Sequence, residues 1–254
     1  MIRFLLVVGL ILAVQAQASA QTGLARRFDG WAVIAVETEA GETMTVRLAG
    51  IELPRPGAPG HALAMQAVDG LLEESGPVTV ISGDAGEDRY GHVVADLDLG
   101  GQTLAGSLVL SGYALAYSWP ETREAAAALL ELEIEARQYQ GGLWGSGVFS
   151  IRSPDPNTLA LYLETVQIVE ARVISVGQTR ERTYLNFGFD YRSDFTVSIA
   201  QEDVQHFEDA GVELSSLEGR IVRVRGWLQA INGPSISIDH PERIEIITPL
   251  DDID

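Results

Sequence analysis

Ser153-Pro154-Asp155-Pro156-Asn157 limits what this chain can fold into more than any other stretch. Each proline lacks a backbone donor and fixes φ, and the neighbouring Asp and Asn favour turns. Neither a helix interior nor a central strand is therefore expected to run through. The 254-residue chain is expected to divide here, with 153–158 as a linker between one unit over 21–152 and another over 159–250.

Residues 1–20 read as a secretory leader. Met1-Ile2-Arg3 gives a positive start, 4–14 an apolar run, and Ala18-Ser19-Ala20 a small-residue cleavage site before Gln21. The run is short for a bilayer span, which needs about 20 apolar residues. A periplasmic or secreted protein follows, with no stable membrane insertion after cleavage. Cysteine is absent, which excludes disulfides, thiolate metal sites and a lipid-modified cysteine.

Before the linker, strands are expected at 33–38, 44–51, 78–82 and 92–97, with helices at 61–74, 104–111 and 122–140. The last helix is rich in alanine and leucine, and Gly141-Gly142 reads as its C-terminal cap. After the linker, strands are expected at 166–176, 183–187, 195–199, 220–230 and 235–247. A helix falls at 201–210 and a hairpin turn at Asn232-Gly233. Three strands, a helix and two more strands is the order of a five-stranded Greek-key OB barrel.

The net charge of −19 weighs against a general nucleic-acid binder, whose affinity comes largely from neutralising phosphates. A local basic groove remains compatible with an acidic whole.

Four motifs over residues 29–145 resemble the staphylococcal nuclease (thermonuclease) family. They are Val46-Arg47-Leu48-Ala49-Gly50-Ile51-Glu52-Leu53-Pro54, Asp88-Arg89-Tyr90-Gly91-His92, Leu108-Val109-Leu110-Ser111-Gly112-Tyr113-Ala114, and Glu133 to Trp144 ending Gly-Gly-Leu-Trp. The resemblance implies a first OB barrel carrying helices, hence a mainly β fold of two OB-like barrels. The second half is similar to a module often attached to exported domains of this type. That likeness rests on Tyr184-Leu185-Asn186-Phe187-Gly188, Val224-Arg225-Gly226-Trp227 and His240-Pro241-Glu242.

The family's chemistry is phosphodiester hydrolysis by water, with calcium, a general base and two arginines. Arg47 matches the first arginine; the competing reading is an ion-paired strand arginine. His92 stands at the second, and is also readable as a hairpin residue facing solvent. Glu52 stands for a calcium-binding aspartate, with its carboxylate one methylene farther out. Arg55 occupies the base position, and a guanidinium cannot take a proton from water. Asp29-Gly30-Trp31-Ala32 is the nearest match to the family's other calcium motif and lacks its second carboxylate. Arg47, Arg55 and His92 together could form an anion-binding pocket.

On the second half, Tyr184, Phe187, Tyr191 and Trp227 with Arg223 and Arg225 could form an oligonucleotide face. The competing reading puts Val222 and Val224 in the core and pairs the arginines with acids. Asn186, Asn232 and His240 read as turn and capping residues. The reading that results is an exported thermonuclease-family protein with a degenerate site, acting as a non-catalytic module for nucleic acid, another anion or a protein. The alternatives are a calcium-dependent nuclease acting on DNA or RNA, and an envelope structural subunit.

Overall fold

A computed structural model of the chain describes residues 21–28 and 32–247. The expected leader, residues 29–31 of the Asp29 motif and residues 248–250 of the second unit lie outside the described residues.

The first unit runs β1 (Thr22–Arg27), β2 (Val33–Thr38), β3 (Thr43–Leu48), β4 (Ile51–Glu52), α1 (His61–Ser75), β5 (Pro77–Glu87), β6 (Val93–Asp98), α2 (Leu104–Leu110), β7 (Leu115–Ala116), α3 (Arg123–Tyr139) and α4 (Gly142–Gly145). Strands β1-β2-β3-β6-β5 close a barrel in that order. β3 and β6 are parallel and the other pairs antiparallel. Ile34, Val36, Val46, Leu48, Val78, Val80, Ala95 and Leu97 fill it, and α1 and α2 add Val68, Leu72, Leu104 and Leu108. These strand residues sit two apart, as inward-facing positions must. The barrel's first strand, β1, was not expected from the sequence.

The buried stripe of α3 is Ala126, Leu129, Glu133 and Ala136. This is the three–four spacing of a core-facing helix, but with a carboxylate in the middle. The expected cap falls elsewhere: Gln140 takes the left-handed conformation that ends α3, at φ 54°. The glycines serve close packing instead. A Cβ on Gly142 would lie 2.6 Å from Ser111 O, so only glycine lets these two loops meet.

The second unit runs β8 (Ile151–Arg152), α5 (Pro156–Leu159), β9 (Val166–Arg172), β10 (Ser175–Gln178), β11 (Arg182–Asn186), β12 (Thr196–Ala200), α6 (Val204–Asp209), β13 (Ile221–Ala230), β14 (Pro234–Ser237) and β15 (Ile244–Ile247). Its sheet is ordered β10-β11-β12-β14-β13-β9-β8, with β15 also on β13. The expected strand at 166–176 bends between β9 and β10. There the backbone changes partners: Val173 N donates to Arg220 O, and Ile174 N to Asn186 O. With β9 and β10 taken as halves of one bent strand, the sheet returns to its start. The parallel β12–β14 pair then matches the β3–β6 pair of the first barrel. The fold is thus mainly β with helices, as expected.

Two further expectations about the second unit need correction. The strand at 235–247 is two strands, because Pro241 starts a turn of 3-10 helix at Pro241–Arg243. The linker is not structureless: Pro156 sits in the first turn of α5, where its missing N–H costs nothing. Asp155 caps that turn by accepting from Thr158 N at 2.9 Å, and Leu159 is fully buried in the second core.

The units are joined through alternate residues of β13. Arg225 is 2% exposed. Its Nη1 donates to Ala116 O at 2.7 Å and to Glu133 Oε2 at 2.9 Å, and its Nη2 to Glu133 Oε1 at 3.1 Å and Glu245 Oε1 at 2.7 Å. Ala116 N donates to Glu133 Oε2. Burial works against the arginine's charge, but Glu133 and Glu245 outweigh it and hold its pKa above the ordinary value. Around this centre Arg123 forks onto Glu242, Arg243 donates to Ser118 O and Tyr117 OH, and Trp144 packs with Ile168.

Replacing Arg225 with leucine leaves fully buried Glu133 with only Arg137, 3.9 Å away, as a counter-charge and should cost about 3–5 kcal/mol in urea unfolding. Adding Glu133→Leu should recover much of that loss; further loss in the double variant would count against the charge pairing. The pairing also sets an acid limit. Burial raises the Glu245 pKa, but Arg225, Arg223 and Arg137 lower it more, to below its ordinary 4.5. A depressed carboxylate stabilises fully above its unfolded value and loses that contribution as pH falls through the folded one. Glu245→Gln should therefore flatten the fall of Tm below about pH 4.5, and an unchanged acid limb would refute this.

Candidate functional site

β3 and the turn after β5 bring Arg47 and His92 to one end of the first barrel. Asp88 organises this turn. Its Oδ1 accepts from Tyr90 N at 2.9 Å and His92 N at 3.0 Å, and its Oδ2 accepts from Arg47 Nε at 3.1 Å. Burial opposes its charge, yet these backbone donors, with His92 and Arg47 nearby, hold its carboxyl below the usual range. Arg47 also donates to Glu121 Oε1 at 3.3 Å, so its guanidinium has two carboxylate partners. His92 does not simply face solvent: it is half-buried, with Nδ1 2.8 Å from Thr45 Oγ1.

Glu52 and Arg55 line a separate cleft of about 340 Å³ between the units, together with Pro54, Trp144, Phe149 and Tyr162; Arg47 and His92 are not part of it. Of the three residues expected to form an anion pocket, Arg55 lines this cleft, whereas Arg47 and His92 meet at Asp88. Arg55 Nε donates to Glu52 Oε1 at 3.1 Å, and the guanidinium carbon lies 4.1 Å from the centre of the Trp227 ring, contributed by β13. The position expected to hold a base is a cation held between a carboxylate and an indole face.

Glu52 is 7% exposed. Burial raises its pKa above the ordinary 4.5, and Arg55, Arg243 and Arg47 offset this only in part. Calcium needs six to eight oxygen ligands, charged carboxylates foremost. Among the described residues no group of three or more His, Asp or Glu is placed to hold a metal. The described surroundings of Glu52 do not fit calcium.

The proposed oligonucleotide face does not form as a unit. Arg223, Arg225 and Trp227 point from one side of β13, as their spacing requires, but that side meets the first barrel or nearby acids. Arg223 donates to Glu170 and Glu245. Phe187 is buried against Phe195. Tyr184 and Tyr191 lie apart from these, in a groove on the outer sheet. Asn186 is a strand residue donating to Ser175 Oγ, whereas Asn232 has the expected turn conformation at φ 50°.

One constellation gave no signal in the sequence. Ser118 Oγ and His240 Nε2 are 2.6 Å apart, and His240 Nδ1 is 2.6 Å from Asp239 Oδ1. Serine, histidine and aspartate in series suggest an activated nucleophile. Ser118 and His240 are 0% and 1% exposed, however, and a nucleophile must reach its substrate. Arg243 closes over the Ser118 carbonyl. The cluster fastens the two units, and only the fold brings residues 118 and 240 together.

The raised pKa of Glu52 gives a prediction opposite in sign to that for Glu245. Above the folded pKa the native state pays to keep this carboxylate charged; below the unfolded value of 4.5 both states are neutral and the cost disappears. Glu52→Gln should raise Tm at pH 7–8, and the gain should vanish near pH 4. A gain that persists at pH 4, or a loss at neutral pH, would overturn this.

Residues 45–146 match the family model described as Staphylococcal nuclease homologue. No curated protein matches the chain. The match covers β3 through α4, and with it Arg47, Glu52, Arg55 and His92. The barrel itself reaches further back, since β1 and β2 close it. With the motifs, the closed five-stranded barrel and the family match in agreement, this chain carries a staphylococcal nuclease-like domain.

Proposed function

We propose that this nuclease-family protein is an exported, non-catalytic binding protein, its first barrel a scaffold that has lost the hydrolytic site. The observation that carries the reading is Arg55. A general base must accept a proton near neutral pH, and a guanidinium paired with Glu52 and stacked on Trp227 cannot. Two further features support it. Arg47, which would stabilise phosphoryl charge, is engaged by Asp88 and Glu121, and Glu52 is buried, which opposes its charge, and already paired with Arg55.

Export rests on the leader-like sequence of residues 1–20. A periplasmic or secreted location suits a chain without cysteine, and no helix among the described residues is long and apolar enough to cross a membrane.

The alternative, a calcium-dependent nuclease, draws on the family match and on Arg47. The protein starting at Gln21 should leave single- and double-stranded DNA and RNA intact with millimolar calcium, and calcium should not shift its Tm. Cleavage that Arg47→Ala abolishes would overturn the non-catalytic reading.

A further inference from the structure

Two rows of side chains cross the outer face of the second barrel. Pairing sets Gly177 beside Tyr184, Tyr184 beside Ser198 and Ser198 beside Ser237. The next row runs Ser175, Asn186, Thr196, Ser235 and Gln229. Leu185, Val197 and Ile236, which alternate with these residues, are fully buried in the core; the two rows therefore face outward. No member of either row is charged, and every one but Gly177 carries a hydrogen-bonding group. In a chain of net charge −19 such a face is conspicuous.

Most of these residues floor a groove of about 610 Å³, a volume typical of small-ligand sites. The β11–β12 connection contributes Tyr191 to its wall and the β13–β14 turn contributes Ile231; these are 60% and 58% exposed. The two loops brace each other. Gly233 has φ +96°, and a Cβ there would lie 2.5 Å from Ser193 O, so the turn fits against the loop only with glycine. At the floor, a Cβ on Gly177 would touch nothing nearer than Asn186 Nδ2 at 3.8 Å. The missing side chain leaves open space beside Tyr184.

The chemistry of this lining selects a ligand class. Among the described residues lining the groove Arg182 alone is charged, and it donates to Ser198 Oγ and Ser237 Oγ. A phosphate polymer needs several cations along its path, and Arg223 and Arg225 are committed elsewhere. Serine and threonine hydroxyls and asparagine and glutamine amides both donate and accept, which suits a ligand whose own groups do both. Tyrosine adds a flat apolar face with a polar tip. Sugars present hydroxyls at the ring edge and C–H groups on the ring face, and OB barrels can take oligosaccharides on this sheet.

We propose that the groove binds a neutral oligosaccharide laid across β11, β12 and β14 and stacked on Tyr184 and Tyr191. The inference deepens the proposed binding role by naming a surface and a ligand class, but it stands on the second barrel alone. Nucleic-acid hydrolysis by the first barrel would overturn the non-catalytic reading and leave this one standing.

The test is calorimetric titration of the protein starting at Gln21 with cellohexaose, with chitohexaose, and with an oligothymidylate at low salt. Saturable binding of at least one oligosaccharide is expected, with no binding of the oligothymidylate. Tyr184→Ala should weaken that binding about tenfold, equivalent to about 1.4 kcal/mol, while Tyr184→Phe should retain it. Ser237→Arg, at an exposed position, should block the groove without touching the core, and an unchanged Tm checks that each variant is folded. The proposal is overturned if neither sugar binds at millimolar concentration, if binding survives both Tyr184→Ala and Ser237→Arg, or if the oligothymidylate binds more tightly than the sugars.

Discussion

Arg225 cannot lose its proton, and that requirement arranges much of what surrounds it. A guanidinium removed from water must be met by carboxylates and carbonyls. Here they come from both units: Glu133 from α3, Ala116 from β7 and Glu245 from β15. Glu133 is in turn fully buried and needs Arg225 to offset its own desolvation. Each charge has a partner in its own unit as well, Glu245 for Arg225 and the more distant Arg137 for Glu133, and the pair between them ties the two units together. Once β13 is fixed against α3 by this triad, Trp227, two residues along, is brought to Arg55. Arg243, just before β15, and His240, ahead of the 3-10 turn that leads into it, are brought to Ser118.

This arrangement explains why the catalytic position and the interface are difficult to separate. In the cleft, Arg55 is both the residue standing where a base is expected and a contact to the second unit. A small carboxylate there would lose the indole stack and add negative charge beside Glu52. The acidic side chains that flank the first barrel's cations are spent on internal pairing, Asp88 and Glu121 on Arg47 and Glu52 on Arg55. Their geometry describes a consolidated surface rather than a set of groups waiting for substrate.

The first barrel was largely legible in the sequence because its motifs carry local geometry. Asp88 to His92 encodes its own turn, and the alternation of Val46 and Leu48 gives the inward face of β3. The second unit was legible in element order but not in what its faces meet. Spacing placed Arg223 and Arg225 on one side of a strand, and the reading that put Val222 and Val224 in the core and paired the arginines with acids holds, yet period two does not say which acids. The same limit hid the role of Glu133, which the sequence shows only as the start of a motif and the structure places, fully buried, against Arg225. It also hid His240, whose hydrogen-bond partner is 122 residues away. The break at Val173 was missed because apolar residues continue on both sides and only the change of hydrogen-bond partner divides the strands; the break at Pro241 had a signal in the proline itself, which starts a 3-10 turn within a polar run.

The short strand β8 shapes how the molecule could be taken apart. Ile151 and Arg152 lie before the prolines, yet they pair in parallel with Ile168 and Val169 of β9. A cut at the proline-rich segment would therefore fall inside one sheet's hydrogen-bonded territory. The front piece would carry off an edge strand with nothing to pair with, and the rear piece would bare the flank of β9, an invitation to stick to other chains. The visible punctuation in the sequence and the edge of the second sheet do not coincide, since β8 belongs to that sheet although it precedes the prolines.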